Sequence, residues 1–294
     1  MHYEKRFLHR IQEEFLIVGS GDFENLMRGG SCHERYIELS LDALHCLVFF
    51  PDIEYLILTP GEVSSGGLRA LDGLRIKALK LDYHTYEIDA YTIDLACFPL
   101  LELVFARTQY CFKNISQCHN LQTLIVQEWL TNNLEWLKGS PIKALKLFSG
   151  KLKSLNGIQK LQKLVSLSIA NQRQLVDCDD LAGNRLESIE IISCNKTDIA
   201  LFPIMQEVRM MHISGKRLIP NVEIILHIAP RLEWLLLDHI VSNGELASLT
   251  DLLHAVIFTD CRHYSHKNCE LPKAAEGYHS KHLPKELEIL PEAY

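Results

Sequence analysis

The chain lacks any long apolar run. Nothing in it approaches the roughly 20 consecutive residues that cross a bilayer. Its opening, MHYEKRFLHRIQEE, is charged throughout and has none of the apolar stretch of a secretion signal. It also lacks a strong charge of one sign. The formal net charge of -7 over 294 residues gives no electrostatic ground for nucleic acid or an anionic membrane as a partner. A disulfide framework is missing too: the nine cysteines are odd in number and irregularly spaced. Cys46 and Cys97 sit beside apolar residues and read as small core hydrophobes, so a reduced, cytoplasmic compartment is expected. No serine motif, carboxylate pair or phosphate loop stands in a recognisable context. FLIVGSGDFENLMRGG, residues 15–30, has the look of a dinucleotide loop. However, Glu24 stands where a third glycine is needed and would repel a pyrophosphate, so the segment reads as a cap hairpin or turn. Cys118 and His119 are adjacent, and neighbours on an extended chain point opposite ways, so they are not read as a nucleophile and its base.

What the sequence has is a repeat. Hydrophobic residues make up 47% of the chain, enough for a sizeable core. They recur with a period. IKALKL occurs at Ile76 and again at Ile142, an offset of 66, or three times 22. Between and beyond these copies the pattern L-x-x-L-x-L returns with substitutions. It runs through Ile53/Leu56/Leu58, Ile76/Leu79/Leu81, Leu100/Leu103/Phe105 and Leu121/Leu124/Val126. It continues through Ile142/Leu145/Leu147, Leu164/Leu167/Ile169, Leu186/Ile189/Ile191, Val208/Met211/Ile213, Leu232/Leu235/Leu237 and Leu253/Val256/Phe258. The L-x-L portion alternates with period two, which puts both apolar side chains on one side of a short strand. One such strand cannot bury that side alone. Stacked copies make a parallel sheet with a core behind it, and the return segments add core residues at spacing three.

The best-preserved unit runs Leu152, Leu155, Ile158, Leu161, Leu164, Leu167 and Ile169, and the unit that begins at Ile191 gives Ile199, Phe202, Met205, Val208, Met211 and Ile213 at the same offsets. Here the sequence resembles the leucine-rich-repeat family, in its 22-residue internalin-like class. The resemblance covers residues 53–258 and implies an α/β solenoid with a parallel sheet on its concave face and short irregular or helical returns. The family's turn asparagine or cysteine is largely absent. Its position holds Gly61, His84, Thr108, Trp129, Gly150, Gln172, Cys194, Lys216, Ile240 and Cys261, so the turns must satisfy their backbone groups in other ways. Residues 133–138 and 222–228 are expected to be helical. Residues 1–52 are expected to form an N-terminal cap, with 35–41 an extra strand pointing Tyr36, Leu39 and Leu41 inward. Residues 259–294 are expected to form a C-terminal cap or tail, kept irregular by Pro272, Pro284 and Pro291.

That phasing assigns an outward face. The position inside L-x-L holds Ile57, Lys80, Val104, Ile125, Lys146, Ser168, Glu190, His212, Leu236 and Ile257. The column before it includes Tyr55, Glu102, Met210 and Trp234, and the column after the strand Asp82, Gln127, Phe148 and Asp238. Tyr83, His84, Arg107, Glu128 and Trp129 fall on the adjoining rim. Aromatics mixed with charges of both signs are the composition of protein interfaces. The expected function is therefore non-enzymatic: binding another protein through this face and rim, without a cofactor, a nucleic acid or a membrane. Family resemblance makes a bacterial immunity protein, which covers an incoming toxin domain, the most concrete form. A cytoplasmic adaptor or substrate-receptor scaffold is the alternative. Cys261, His263, His266 and Cys269 have the density of a zinc site but not the spacing of a standard one. A polar cap with ordinary cysteines and histidines is the favoured reading of them, and a structural zinc the competing one.

Overall fold

A computed structural model describes residues 16–18, 36–62, 67–85, 92–258 and 261–273. They divide into two compact units. The first comprises the described residues through Glu128 together with Ser140–Ile142. The second comprises Trp129–Gly139 and the described residues from Lys143 on. In the first, strands β1 (Leu16–Val18), β2 (Tyr36–Ser40), β3 (Tyr55–Thr59) and β4 (Ala78–Leu81) lie side by side, followed by β6 (Leu103–Thr108) and by β8 (Thr123–Trp129), whose last residue, Trp129, belongs to the second. A separate two-stranded sheet pairs β5 (Ile93–Asp94) with β7 (Phe112–Lys113). In the second, β9 (Ala144–Gly150), β10 (Ser166–Ala170), β11 (Ser188–Ile192), β12 (Met210–Ser214), β13 (Trp234–Asp238) and β14 (His254–Ile257) follow in order. The pairings described within each unit are all parallel. Each unit has the build of a leucine-rich-repeat solenoid, a stack of parallel strands with short returns, and in the second unit the period is visible in the register. Leu145, Leu167, Ile189 and Met211 pair across neighbouring strands, each 22 residues from the last.

The pattern of burial explains why these strands form. In β12 and β13 alternate residues are buried, so each strand covers one side and leaves the other open. The return segments then close the core. Leu155, Ile158 and Leu161 are buried at spacing three around the 3-10 turn Ile158–Lys160. Three residues per turn bring such side chains onto one line. Each buried aliphatic contributes about 1.5–3 kcal/mol, so the ladder of leucines and isoleucines dominates the stability. The helical expectations hold in reduced form: residues 133–138 contain the 3-10 turn Glu135–Leu137, and residues 222–228 contain the α-helix Glu223–Ile228.

Two repeats are phased differently from the sequence reading. In β6 it is Leu101, Val104 and Ala106 that are fully buried, with Leu79 opposite Val104 and Lys80 opposite Phe105. Leu103 and Phe105 are turned to the open side, one residue away from expectation. In β14 Leu252, Ala255 and Ile257 are inward, while Leu253 and Phe258 are 50% and 57% exposed. The cause is the same in both. A leucine doublet, Leu100-Leu101 or Leu252-Leu253, permits two frames, and the true frame puts an alanine at one inward position. The frame with three large residues was the wrong one. A one-residue slip reverses every side chain of a strand. In β2 the inward expectation holds for Leu39 and, just past the strand, Leu41, with Ile37 buried as well; Tyr36 pairs in register with Tyr55. Residues 15 and 19–30 of the glycine-containing segment lie outside the described residues. Leu16–Val18 forms a strand that pairs in parallel with β2.

The turns replace the missing asparagine with a mixture of groups. Gln172 Oε1 accepts from Leu152 N at 3.2 Å, and Trp129 Nε1 donates to the Asn133 carbonyl at 2.9 Å. Cys194 Sγ donates to the carbonyls of Ile192 and Ile169 at 3.5 and 3.8 Å. Thr108 Oγ1 donates to the Thr85 carbonyl at 2.7 Å. Past β14, residues 261–273 pack back on the last repeats. Val241 N donates to the Tyr264 hydroxyl at 2.9 Å and Ile257 N to Asn268 Oδ1 at 2.9 Å, while Leu271 is buried.

Candidate functional site

The open face of each sheet is where repeat side chains meet solvent. In the first unit, β4, β6 and β8 place Lys80, Asp82, Phe105, Arg107 and Gln127 there. Arg107 is on the face, not the rim, because of the shifted frame of β6. Its Nε donates to Asp82 Oδ1 at 2.6 Å and its Nη1 to Gln127 Oε1 at 2.5 Å. Lys80 Nζ is 3.1 Å from the other Asp82 oxygen and 5.6 Å from the centre of the Phe105 ring. Partial burial works against the Asp82 anion. Hydrogen bonds and charge from Lys80 and Arg107 outweigh it and hold the carboxyl below its ordinary range. Tyr55 and Glu128 are half-buried and His84 is exposed. Tyr83 and Trp129, expected on the rim, are in the core. Tyr83 is 4% exposed, with its hydroxyl donating to the Cys111 carbonyl, and Trp129 is fully buried beside Trp136. Their bulk fills turn positions that a small ladder residue would leave empty.

In the second unit the open face has a polar row and an aromatic patch. The row crosses consecutive strands: Lys146 on β9, Ser168 on β10, Glu190 on β11 and His212 on β12, paired in register. Lys146 is only 3% exposed and Ser168 7%, so these outward positions are already shielded from water. His212 Nδ1 lies 3.7 Å from Glu190 Oε1. Burial opposes ionisation of Glu190. Hydrogen bonds from His212 and Ser168, with the nearby His212 and Lys146 charges, prevail and keep its carboxyl below the usual range. A buried charge without such partners would be strongly destabilising.

The patch lies beyond the row. The Trp234 indole stacks on the His254 imidazole at 4.4 Å with 20° between planes. Burial, then the charge of Lys273, hold the His254 ring below the usual histidine range, so at neutral pH it is an uncharged flat ring. Phe258 reaches back to within 6.0 Å of the His212 ring. Met210 stands opposite Trp234, and Leu236 stands opposite both His212 and Val256, in register; all three are half-buried. Phe148 and Asp238 are half-buried, and Asp238 accepts from Ser214 Oγ at 3.0 Å. His254, Val256 and Phe258 escaped the sequence reading of the face because of the slipped frame of β14, which also placed Ile257 outward. Val104 was misplaced likewise in β6. Glu102 is exposed one residue before the face.

The C-terminal cysteines and histidines are not brought together. His263 Nε2 donates to the Val241 carbonyl at 2.9 Å, His266 Nδ1 is 3.1 Å from Ser265 Oγ, and Cys269 is exposed. Among the described residues no group of three or more histidine, cysteine, aspartate or glutamate side chains is placed to hold a metal ion. Cys118 is buried, with its thiol pushed up to about 11 by burial, and His119 is exposed. Burial raises the Cys194 thiol likewise to about 11 and drives that of Cys178 higher still. These behave as core residues, as expected for Cys46 also, whereas Cys97 is half-exposed. Among the described residues no helix is long and apolar enough to cross a membrane.

No protein-family model matches the chain, and neither does any curated protein sequence. Solved structures similar to it include an internalin from Listeria monocytogenes, 15% identical, with a TM-score of 0.44 over 76% of this chain and 72% of that one. A leucine-rich-repeat protein from Leptospira interrogans is 14% identical, with a TM-score of 0.29 over 83% of this chain and 89% of that one.

Proposed function

We propose that the chain is a non-enzymatic protein-binding module, and most concretely an immunity protein that neutralises a bacterial toxin by docking on it and occluding its working surface. The observation that carries the reading is the open-face patch of the second unit. Trp234 and His254 are stacked, Phe258 is 57% exposed, and Met210 stands opposite Trp234 and Leu236 opposite Val256 in register. Large rigid aromatics presented on a sheet, beside charged groups whose geometry is already fixed, are the make-up of interface hot spots. Their exposure costs hydration free energy that a partner's apolar surface recovers. The Lys146-to-His212 row adds polar groups that are desolvated before any partner arrives, which lowers the ordering cost of binding. Occlusion needs no more than such a rigid surface.

The test is isothermal titration with the protein encoded next to this gene. The expected outcome is a one-to-one complex with Kd in the nanomolar range, and inhibition of that protein's toxicity. Trp234→Ala is expected to weaken binding by about 30-fold or more, the size of a hot-spot loss. No complex, or a complex indifferent to Trp234→Ala and Phe258→Ala, refutes the assignment of this patch.

A further inference from the structure

On the open face of the first unit, two cations share one carboxylate. Arg107 and Lys80 both contact Asp82, and the fourth member of the cluster, Gln127, is neutral. The cluster therefore carries a local charge of one positive unit, within a chain whose formal net charge is -7. The guanidinium is fixed on two sides. Its Nε–H is directed to Asp82 and one Nη1–H to Gln127. A guanidinium has five N–H groups. Among the described residues the two on Nη2 have no partner, so they remain as donors for an incoming carboxylate. The Arg107 side chain is 36% exposed and that of Lys80 26%, so an incoming group can reach both. Lys80 is steadied in turn by the Phe105 ring at 5.6 Å. The nearest acidic residue along β8, Glu128, belongs by strand alternation to the opposite side from Gln127.

From this arrangement we infer that the Lys80–Arg107 pair is an anchoring site for a single carboxylate on a protein partner, an aspartate or glutamate side chain. The inference rests on the protein-binding reading and names the chemistry of a second contact point. An ordinary surface salt-bridge network contributes little, about 0–1 kcal/mol. Here the arrangement differs in having more cation than anion and an arginine held before its partner arrives, so the ordering cost of the contact is already met. A polyanion such as RNA would have to approach a chain of the same net sign, and its affinity depends on many phosphate contacts, not one. A discrete carboxylate among apolar neighbours avoids both problems.

The experiment is selection of a phage-displayed random dodecapeptide library on the full chain, followed by affinity measurement with synthetic copies of the selected peptides. The expected result is a family enriched in Asp or Glu at one position. Arg107→Ala and Arg107→Lys should each weaken it by about tenfold or more, while the thermal unfolding midpoint of both variants stays within about 2 °C of wild type. Replacing the peptide's acid by its amide should cause the same loss, and combining it with Arg107→Ala should add nothing further, as required for groups that act on each other. Peptides without acidic bias, acidic peptides indifferent to Arg107, a failure to select any binder, or preferential binding of a single-stranded RNA oligonucleotide overturns the inference. If selected peptides lose affinity on Trp234→Ala but not on Arg107→Ala, the anchor falls while the protein-binding surface of the second unit stands. If the neighbouring protein is not bound either, both fall.

Discussion

The phase of β14 decides what the second unit shows to a partner, and a pair of adjacent alanine substitutions tests it. Ile257 is 1% exposed and Phe258 57%. Truncating Ile257 removes three buried carbons, which at about 0.8 kcal/mol each is roughly 2.4 kcal/mol of lost transfer free energy. The cavity left behind Leu237, its partner on β13, brings the total to about 3 kcal/mol. Phe258 is larger, but less than half of it is covered. A fully buried phenylalanine contributes at most about 3 kcal/mol by the same measure, so its truncation should cost about 1 kcal/mol or less. The frame with Val256 and Phe258 inward requires the reverse order. Urea denaturation followed by circular dichroism, with hydrogen exchange of the β14 amides to register opening of the end repeat alone, separates the two. Ile257→Ala should destabilise β14 clearly and Phe258→Ala scarcely, while Phe258→Ala alone should weaken partner binding. Equal costs, or a larger one at Phe258, would refute the register and with it the aromatic patch.

Other consequences follow from single contacts. Gly150 has φ +137°, and a Cβ there would meet the Trp129 carbonyl oxygen at 1.9 Å. Gly150→Ala should therefore cost more than about 2 kcal/mol in thermal or urea unfolding, since backbone and not a pliable side chain stands in the way. Trp129→Ala should lose about 3–5 kcal/mol as a core truncation, yet leave partner affinity per folded molecule unchanged, because the residue is enclosed. Glu190 is held below its ordinary value in the folded chain. Its contribution to stability is full above the ordinary glutamate range and is lost as pH falls through the lower folded-state value. Glu190→Gln should accordingly flatten the acid limb of a stability-against-pH curve; an unchanged limb would mean that the row does not hold the carboxylate as described.

The architecture could be read from the order of residues because it depends on a period. A side chain such as Leu167 or Ile189 is interior wherever copies stack, and the seven predicted core positions from Leu152 to Ile169 are all buried. Stacking identical short strands is the way such a pattern excludes water, whatever the partner strands' identity. Much of the face was legible by the same logic, since Lys80, Glu190, His212 and Trp234 alternate with unambiguous leucines and isoleucines. Only the tertiary structure could decide where two frames were both apolar. At Leu100-Leu101 and Leu252-Leu253 the local sequence favours the larger residues, but the space behind the sheet accepts Ala106 and Ala255, and cross-strand hydrogen bonding then fixes the register. That choice carried Arg107 onto the face beside Asp82 and turned Phe258 outward. Burial of long side chains was equally beyond the sequence. Lys146 and Trp129 lie where a strand or turn pattern marks an accessible position, yet Lys146 is 3% exposed and Trp129 is enclosed against Trp136, because the folded turn and sheet set side chains around them that no alternation rule can place.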